Sequence, residues 1–540
     1  MTWAWWLALG CGLVSSEEPA DPGVPPGGAD GSEKGADTLV VGAAFDPGNL
    51  NPLVLPYGSS FELSDLVNPG LVRRIDGFEP ALAESWAWSD DGMALTYRLR
   101  EGLVWEDGVP LTSADVAFTW SLIANPAVAS NWHGSARHVA RVEAPDPRTV
   151  RYVYAARRNP NLQQGVTVRG IVASHLLEGV DPGTLRGHAS ARRPLASGPF
   201  RVASWSPNES VVLEPNPRAP EGTAPHLERI VVRILPEYAT RVIELERGTI
   251  DLLAHVDVQD VPRLQAIPRL RLVRTPAASM TYLGYDTTEP PFDDVRVRRA
   301  MTLAVDLDQL RERTLVAAGQ HYGQSCVGTV SPGLAGWVPG DLEPLPHDPA
   351  RASSLLTQAG YADGDGDGIL ERAGAPFAFI VMIQSGDPEA QNVAVWIQAQ
   401  LRRIGVDMRV EKVEPTRFSE RARARDFEAM IWGFGANPVV DPSIQWRSDG
   451  QYNWMGLSDP EIDARLDEGV RAGSVEAAQA AFHDVQRRVY EAQPATFLYW
   501  RDGIIAVDRR FQGTQHDTYS SLRHAERWWV PPAQRRYPAR

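Results

Sequence analysis

The sequence predicts an α/β protein with mixed, largely buried sheets, because strand-like and helix-like segments alternate along most of its 540 residues. The strand-like segments are short, rich in β-branched residues and bounded by turn residues. They span residues 38–44, 94–99, 149–154, 200–205, 211–214, 230–235 and 270–275. The helix-like segments repeat apolar residues at a spacing of three and four. They span residues 113–124, 239–246, 295–307, 350–359, 389–404, 460–471 and 475–492.

Local signals fix some of these elements more closely. The tetrapeptide Trp105-Glu-Asp-Gly108 predicts a strand end that enters a tight turn, in which Gly108 adopts a positive φ. The helix at 113–124 has Thr112 or the next residue as its N-terminal cap and carries Asp115 in its first turn. No repeat of about 20–50 residues is visible, so a solenoid or propeller is not expected.

The composition is that of a large, acidic globular protein. The 68 acidic and 53 basic residues leave a net charge of −15, which argues against a nucleic-acid binder, because such proteins carry basic patches. Hydrophobic residues make up 43% of the chain, so a sizeable core is available. At roughly 150 residues per domain, the length allows about three to four domains. The 17 tryptophans indicate aromatic-lined surfaces.

The first residues indicate export and a lipid anchor. An apolar run ends in Ala8-Leu-Gly-Cys11, which is typical of a bacterial lipobox whose cysteine is acylated. Residues 12–37 are polar and rich in proline and glycine, as expected of a flexible linker. A chance apolar stretch or a misassigned start codon is the alternative. Cys326 is the only other cysteine, so no disulfide framework is expected.

No local motif for catalysis occurs in the sequence. A Gly-x-Ser-x-Gly elbow, a His-Glu-x-x-His zinc helix, a phosphate-binding loop and a Gly-x-Gly-x-x-Gly turn are all missing. The eleven histidines are dispersed, and the closest pair, His133 and His138, is five residues apart. An enzyme is therefore the weaker interpretation, and a secreted hydrolase stays open as the alternative.

A series of motifs follows one order along the chain. Between residues 50 and 120 they are Leu50-Asn-Pro52, Pro80-Ala-Leu-Ala-Glu-Ser-Trp86, Ser89-Asp-Asp-Gly92, Thr96-Tyr-Arg-Leu-Arg-Glu-Gly102, Val104-Trp-Glu-Asp-Gly-Val-Pro-Leu-Thr112 and Ala114-Asp-Val-Ala-Phe118. Later matches include Ser197-Gly-Pro-Phe-Arg-Val202, Tyr282-Leu-Gly-Tyr285, Pro290-Pro-Phe-Asp-Asp-Val-Arg-Val-Arg298 and Tyr452-Asn453. With these motifs the chain closely resembles the family 5 extracellular solute-binding proteins, the peptide/nickel-type binding subunits of ABC importers.

The resemblance implies a periplasmic-binding-protein-like fold of type II, with two α/β lobes, a hinge and an extra inserted domain. Such proteins bind a solute in the cleft between the lobes, close over it and present it to a membrane permease without changing any bond. The expected segments are 1–11 (lipoprotein-type signal), 12–37 (flexible linker), 38–72 with 192–278 and 490–530 (lobe I), 73–191 (inserted domain), 279–489 (lobe II) and 531–540 (C-terminal tail).

The resemblance also indicates where the solute binds. In the family, a Gly-Trp-x-Ala/Gly-Asp segment lines the cleft, and its Asp binds the terminal ammonium of a peptide. Here the segment is Gly433-Phe-Gly-Ala-Asn437, and the neutral amide of Asn437 forfeits a charge-assisted hydrogen bond. We therefore expect a relaxed anchor, with Asp441 either restoring the charge or forming a turn with Pro442.

Aromatic residues dominate the predicted cleft wall. The predicted ligand-binding residues are Tyr57, Gly58, Trp132, Gly433, Phe434, Gly435, Asn437, Asp441, Tyr499 and Trp500. Core packing is the competing interpretation, because aromatic side chains stabilise cores as readily as clefts. Aromatic walls with few fixed charges suit a neutral or mixed solute, such as an oligopeptide held through its backbone.

A separate acidic loop resembles the first half of an EF-hand. Asp363, Asp365 and Asp367 stand at loop positions 1, 3 and 5, and a glycine follows at position 6. Glu371 stands at position 9, but Gly374 replaces the bidentate glutamate of position 12. A structural Ca²⁺ and a hairpin turn are both open; no other cofactor is expected.

The sequence therefore predicts a lipid-anchored, monomeric receptor in the periplasm or cell envelope. It is expected to deliver an oligopeptide or dipeptide to the permease and ATPase subunits of an ABC importer. The alternatives keep the fold but change the solute to a nickel complex, an oligosaccharide or another metabolite, or assign a sensory role in place of transport.

Overall fold

An eleven-stranded mixed sheet carries most of the core. The structure, a computed structural model, describes residues 37–55, 58–75, 77–136, 138–159, 170–334, 336–435, 441–518 and 520–536. The strands are β1 (Thr38–Ala43), β2 (Val72–Ile75), β3 (Gly77–Pro80), β4 (Ala83–Trp88), β5 (Ala94–Leu99), β6 (Val139–Asp146), β7 (Thr149–Tyr154), β8 (Phe200–Ser206), β9 (Ser210–Pro215), β10 (Arg229–Ile234), β11 (Leu252–Leu253), β12 (Leu270–Tyr285), β13 (Val316–Ala317), β14 (Gln320–His321), β15 (Gly323–Gln324), β16 (Glu371–Arg372), β17 (Ala375–Pro376), β18 (Ala378–Gln384), β19 (Asp407–Val413), β20 (Ala429–Gly435) and β21 (Ala495–Asp508). The helices are α1 (Gly58–Val67), α2 (Ser113–Ala124), α3 (His133–Ala136), α4 (Ser174–Leu177), α5 (Tyr238–Arg247), α6 (Val261–Gln265), α7 (Val295–Ala304), α8 (Leu307–Leu315), α9 (Pro349–Gln358), α10 (Pro388–Arg402), α11 (Pro415–Ala424), α12 (Ser443–Trp446), α13 (Pro460–Arg471) and α14 (Val475–Ala492).

Two long antiparallel strands, β12 and β21, run through the middle of the large sheet. The strand order is β19-β18-β20-β12-β21-β11-β1-β10-β9-β8, and β15 pairs with β21 outside this path. The sheet combines parallel pairs, such as β18 with β19, and antiparallel pairs, such as β9 with β10. The predicted mixed α/β architecture is thereby confirmed.

Helices cover both faces of the β18–β20 half of the sheet. The core on one face takes side chains from α7, α8, α9 and α10. The core on the other face takes them from α11, α13 and α14. Because both faces are buried, the strands of this half carry apolar residues at successive positions, as in Ala429–Ile431 of β20.

A separate four-stranded antiparallel sheet, in the order β4-β5-β7-β6, has its own core together with α2. The predicted capping of α2 is confirmed: Thr112 Oγ1 accepts from Ala114 N at 3.3 Å, and Asp115 Oδ2 accepts from Thr112 N at 2.9 Å. The predicted turn is confirmed too, with Gly108 at φ 95°. The boundaries assigned to the lobes and the inserted domain stay a prediction.

Two predicted elements differ from the observed ones by more than two residues at one end. The helix predicted over 295–307 ends at Ala304, and α8 begins anew because Asp306 Oδ1 accepts from Gln309 N at 2.9 Å. The strand predicted over 270–275 continues to Tyr285, with a register shift between Thr275 and Ser279. Within the described ranges, no helix is both long and apolar enough to span a bilayer.

Candidate functional site

The end of β20 carries three of the predicted ligand-binding residues, and strand pairing places two more beside them. Gly433 and Tyr499 both lie opposite Thr281 of β12, on its two sides. Phe434 and Trp500 share the neighbouring β12 residue in the same way. Since adjacent strands lie about 4.8 Å apart, each pair is separated by about 10 Å. The strand register therefore places these residues at one level of the sheet, with β12 between them: Trp500 and Phe434 pack on the same face, whereas Tyr499 packs in the core of the opposite face.

The two predicted glycines of β20 have different surroundings. A Cβ atom on Gly433 would lie 2.3 Å from the Met280 carbonyl oxygen of the adjacent strand, closer than non-bonded atoms approach. A Cβ atom on Gly435 would meet no atom of the described residues within 4 Å. Gly433 is thus required by strand packing, whereas no described residue packs against the Gly435 backbone in this way.

Phe434 belongs to a cluster of aromatic rings on one face of β20. Its ring stacks on Tyr282 at a centroid distance of 5.7 Å and meets Tyr452 edge-on at 5.8 Å. Trp454 lies 6.4 Å from Phe434 and 5.7 Å from Trp432. We call these five residues the β20 aromatic cluster. Four of them were missed by the sequence prediction, although Trp432 precedes Gly433 directly and Tyr452 lies in a quoted motif.

The β20 aromatic cluster contains buried hydrogen-bond donors. Trp432 Nε1, Trp454 Nε1 and Tyr282 Oη are buried and have no hydrogen-bond partner among the described residues. A buried donor without a partner costs roughly 1–3 kcal/mol. A carbonyl or carboxylate oxygen of a solute reaching one of these atoms would remove that cost.

Tyr499 and Trp500 occupy core positions. Tyr499 is fully buried and its hydroxyl donates to Glu389 Oε1 at 2.8 Å. Burial, together with the charge of Glu389, raises the pKa of Tyr499, so the hydroxyl remains a donor. Trp500 is 2% exposed, and its Nε1 donates to the Gly328 carbonyl at 3.3 Å. Contact of either ring with a solute stays a prediction.

The residue after Trp500, Arg501, forms an ion pair that the sequence analysis did not predict. Arg501 of β21 pairs with Glu389 in the first turn of α10. Burial alone would lower the pKa of Arg501, but the charges of Glu389 and Asp257 outweigh it and raise the pKa. The guanidinium therefore stays charged where the long central strand meets α10.

Two further predicted wall residues, Gly58 and Trp132, lie in α1 or beside it. Gly58 opens this helix, and Tyr57 lies outside the described residues. Trp132 Nε1 donates to the Pro52 carbonyl at 2.9 Å, and its ring meets Phe61 of α1 edge-on at 5.6 Å. Trp132 thus packs beside the predicted loop, and its contact with a solute stays a prediction.

The predicted acidic residue after β20, Asp441, accepts hydrogen bonds from a neighbouring residue. Asp441 Oδ1 accepts from the backbone N–H of Ser443 at 2.9 Å and from its hydroxyl, where α12 begins. This geometry is that of a turn-forming aspartate, the second of its two predicted roles. Asn437 and the predicted lipidation site Cys11 lie outside the described residues.

The acidic loop brings its carboxylates together. One oxygen from each of Asp363, Asp365, Asp367 and Glu371 lies within 4.8 Å of the others. The loop backbone also uses them: Asp363 Oδ1 accepts from the N–H of a loop glycine at 2.7 Å, and so does Glu371 Oε2. Hard oxygen ligands of this kind suit Ca²⁺, and both the calcium site and the hairpin turn stay predictions.

The fold and its sequence are similar to those of known solute-binding proteins. Residues 77–456 match bacterial extracellular solute-binding proteins, family 5 Middle. The oligopeptide-binding protein AppA of Bacillus subtilis (strain 168) is 25% identical over 511 residues, covering 92% of this chain and 92% of its own length.

Solved structures agree in fold. AppA from Bacillus subtilis in complex with a nonapeptide superimposes with a TM-score of 0.84 at 24% identity, covering 92% of this chain and 99% of its own. NikZ from Campylobacter jejuni in complex with Ni(L-His) gives 0.82 at 22% identity, covering 92% and 100%. These similarities confirm the predicted type II fold of two lobes, and the chain belongs to the bacterial extracellular solute-binding proteins of family 5.

Proposed function

We propose that the protein is the substrate-binding subunit of an ABC importer and that it binds an oligopeptide or dipeptide in the cleft between its lobes. The β20 aromatic cluster is the observation that supports this most directly. Its rings offer apolar contact to side chains of varied sequence, and its indole N–H groups, which have no partner among the described residues, offer donors to peptide carbonyls. The relative AppA, whose name describes an oligopeptide-binding protein, supports the same solute class.

Peptide binding of this kind would depend on the backbone of the solute. Gly435, which carries no side chain and meets no other described residue at its Cβ position, would allow a close approach at the end of β20. Asn437 offers no negative charge to a terminal ammonium. Affinity is therefore expected to fall only modestly when the peptide amino terminus is acetylated.

Binding alone accounts for this function. Closure of the lobes over the peptide is a population shift, driven by tighter binding to the closed form. No step changes a bond in the solute. Transfer then requires a membrane permease and its ATPase, and the acylated Cys11 would hold a monomeric receptor at the outer face of a membrane.

A metal complex is the second candidate solute. The similarity in fold to NikZ with bound Ni(L-His) favours it, as does the loss of the acidic residue at position 437. The two solute classes differ in the group that the protein must recognise: a repeating amide backbone in one, a compact chelate in the other.

Native mass spectrometry of the protein, purified without denaturation from a peptide-rich medium, tests the proposal. Bound masses that fragment as peptides are expected, and Phe434→Ala should lose them while Trp529→Ala, a change at a 44% exposed ring, should not. An empty protein that is stabilised in a thermal screen only by metal chelates or sugars would overturn peptide binding.

A further inference from the structure

A cavity of about 310 Å³ opens at the beginning of β20, away from the aromatic cluster at its end. Phe427, Met382 and Ile380 form an apolar wall, and charged side chains surround it. None of the five residues of the β20 aromatic cluster lines this cavity. The cavity is therefore distinct from the proposed peptide site.

The cavity is strongly acidic. Five carboxylates line it, against two guanidinium groups. One guanidinium is already neutralised: Arg421 Nη1 lies 3.0 and 2.9 Å from the two oxygens of Glu411, and Arg421 Nε lies 3.1 Å from Asp426. Glu428 Oε2 accepts from the backbone N–H of Ile380 at 2.7 Å.

Other charged groups of the lining keep free hydrogen-bonding capacity. Asp286 is 6% exposed, and its Oδ1 accepts from the N–H and the hydroxyl of Thr288 at 3.0 and 2.7 Å. Its Oδ2 accepts no hydrogen bond from the part of the chain that the structure describes. The Glu289 carboxylate, exposed at the rim, has no ion-pair or hydrogen-bond partner in that part either.

Arg425 is the remaining positive charge. It has φ 55°, an uncommon conformation for arginine, and its guanidinium carbon lies 3.4 Å from where a Cβ atom of Gly456 would be. No acidic partner for it is found within the described ranges. One free guanidinium does not balance the open carboxylates, so the local potential favours a positive ligand.

Geometry argues against a metal ion here. In the described part of the chain, the acidic side chains that converge closely enough to share an ion belong to the 363–371 loop. The cavity volume, the apolar wall and the separated carboxylates instead match a molecule with an aliphatic body and cationic groups.

We propose that this cavity is a second binding site, which takes a small organic cation carrying ammonium or guanidinium groups. A cationic group donates to Asp286 Oδ2 in the interior and another to Glu289 at the rim, while the aliphatic body lies on Phe427 and Met382. This site goes beyond the proposed peptide function and does not depend on it.

Calorimetric titration of the full chain with agmatine, a guanidinium joined to an ammonium by four methylenes, tests the proposal. Asp286→Asn keeps the acceptor for Thr288 but removes the charge, and should weaken agmatine at least about tenfold, the loss of one charge-assisted hydrogen bond. Glu289→Gln, an exposed change that leaves folding intact, should weaken it severalfold. Glu178→Gln, an exposed control on another part of the surface, should leave it unchanged.

The ligand 4-guanidinobutyrate carries a carboxylate where agmatine carries an ammonium, and it should bind more weakly. Three results would overturn the proposal. They are no saturable binding of agmatine to the unsubstituted protein, equal binding to the Glu289→Gln variant, and binding of 4-guanidinobutyrate as tight as that of agmatine.

Discussion

Asn159 and Ser474 are joined by a hydrogen bond, with Asn159 Nδ2 donating to the Ser474 carbonyl at 3.2 Å. The backbone N–H of Asn159 also donates to the Val470 carbonyl at 2.9 Å. Asn159 follows the four-stranded sheet, whereas Ser474 caps α14, which covers the large sheet. Asn159 is fully buried, so this contact links the segment after the four-stranded sheet to the helices that cover the large sheet.

Asn159→Ala is expected to weaken solute binding. If closure brings these segments together, loss of a hydrogen bond worth about 0.5–1.5 kcal/mol lowers the population of the closed form, so the dissociation constant rises by about two- to tenfold. Calorimetry with a co-purified peptide measures it. Asn392→Ala, at an exposed position of α10, is the control. Equal affinity of both variants would show that the contact is independent of closure.

Gly433 and Gly435, two residues apart near the end of β20, provide a test of the strand packing. Gly433→Ala should lower the free energy of unfolding by about 1–3 kcal/mol, the usual cost of overpacking, because its Cβ meets the Met280 carbonyl oxygen. Gly435→Ala should be nearly neutral for stability, because its Cβ meets no described residue within 4 Å, but should reduce peptide affinity by adding a methyl group at the end of β20. Denaturant unfolding of both variants measures the difference. Equal stability losses would contradict the distinct roles of the two residues.

The parts of the fold that short segments determine were predictable from sequence. The capping box of Thr112 and Asp115 and the turn at Gly108 each involve neighbouring residues, so local chemistry fixes them. The extension of β12 beyond Pro276 was not predictable, since its far half is held by pairing with β20 and β21, more than a hundred residues away.

In the candidate site, too, residues of a contiguous motif were predictable and residues that meet through tertiary packing were not. Gly433 and Phe434 were found because a contiguous motif carries them. Trp454 and Tyr282 join the aromatic cluster only through tertiary packing, and the Arg501–Glu389 pair joins a strand to a distant helix. Contacts between residues that are about 20 to 150 positions apart, as in these examples, leave no periodic or spacing signal in a single sequence.

His524 should make the stability of the protein depend on pH. Its Nδ1 lies 3.3 Å from Glu526 and its Nε2 3.1 Å from Glu79, and Arg73 lies 2.8 Å from Glu526. Hydrogen bonding to Glu526 and Glu79 raises the pKa of His524. Burial alone would raise the pKa of Glu526, but His524 and Arg73 outweigh it and lower it to about 2.

The direction in which stability changes with pH follows from these shifts in the pKa values of His524 and Glu526. Stability from His524 is complete below the unfolded pKa of 6.5 and is lost as pH rises through the higher folded pKa. Stability from Glu526 is present above 4.5 and is lost as pH falls towards 2. His524→Gln should therefore cost most between pH 4.5 and 6.5, by about 1.5–3 kcal/mol, and progressively less above that range.

Thermal unfolding of the unsubstituted protein and of His524→Gln from pH 5 to 9 measures the difference in stability. His226→Gln, a change at an exposed histidine, serves as the matched control and should show no such pH profile. A constant difference between His524→Gln and the unsubstituted protein from pH 5 to 9 would mean that His524 acts only through packing, contrary to the prediction.

The acidic loop at residues 363–371 is expected to respond to Ca²⁺. Four carboxylates with oxygens within 4.8 Å of one another repel when no cation is present. Ca²⁺ bound there stabilises the folded chain by about 2.7 kcal/mol at a free concentration one hundred times its dissociation constant. We therefore expect Ca²⁺ to raise the melting temperature of EDTA-treated protein.

Asp365→Asn should abolish most of that rise, because the amide keeps the acceptor for the Asp367 N–H but removes the charge. Asp90→Asn, an exposed change in the turn between β4 and β5, should keep the full rise in melting temperature. If Ca²⁺ leaves the melting temperature of the unsubstituted protein unchanged and elemental analysis finds no bound metal, the loop is a hairpin turn. Its glycines and its carboxylate-to-backbone hydrogen bonds are then sufficient to account for its shape.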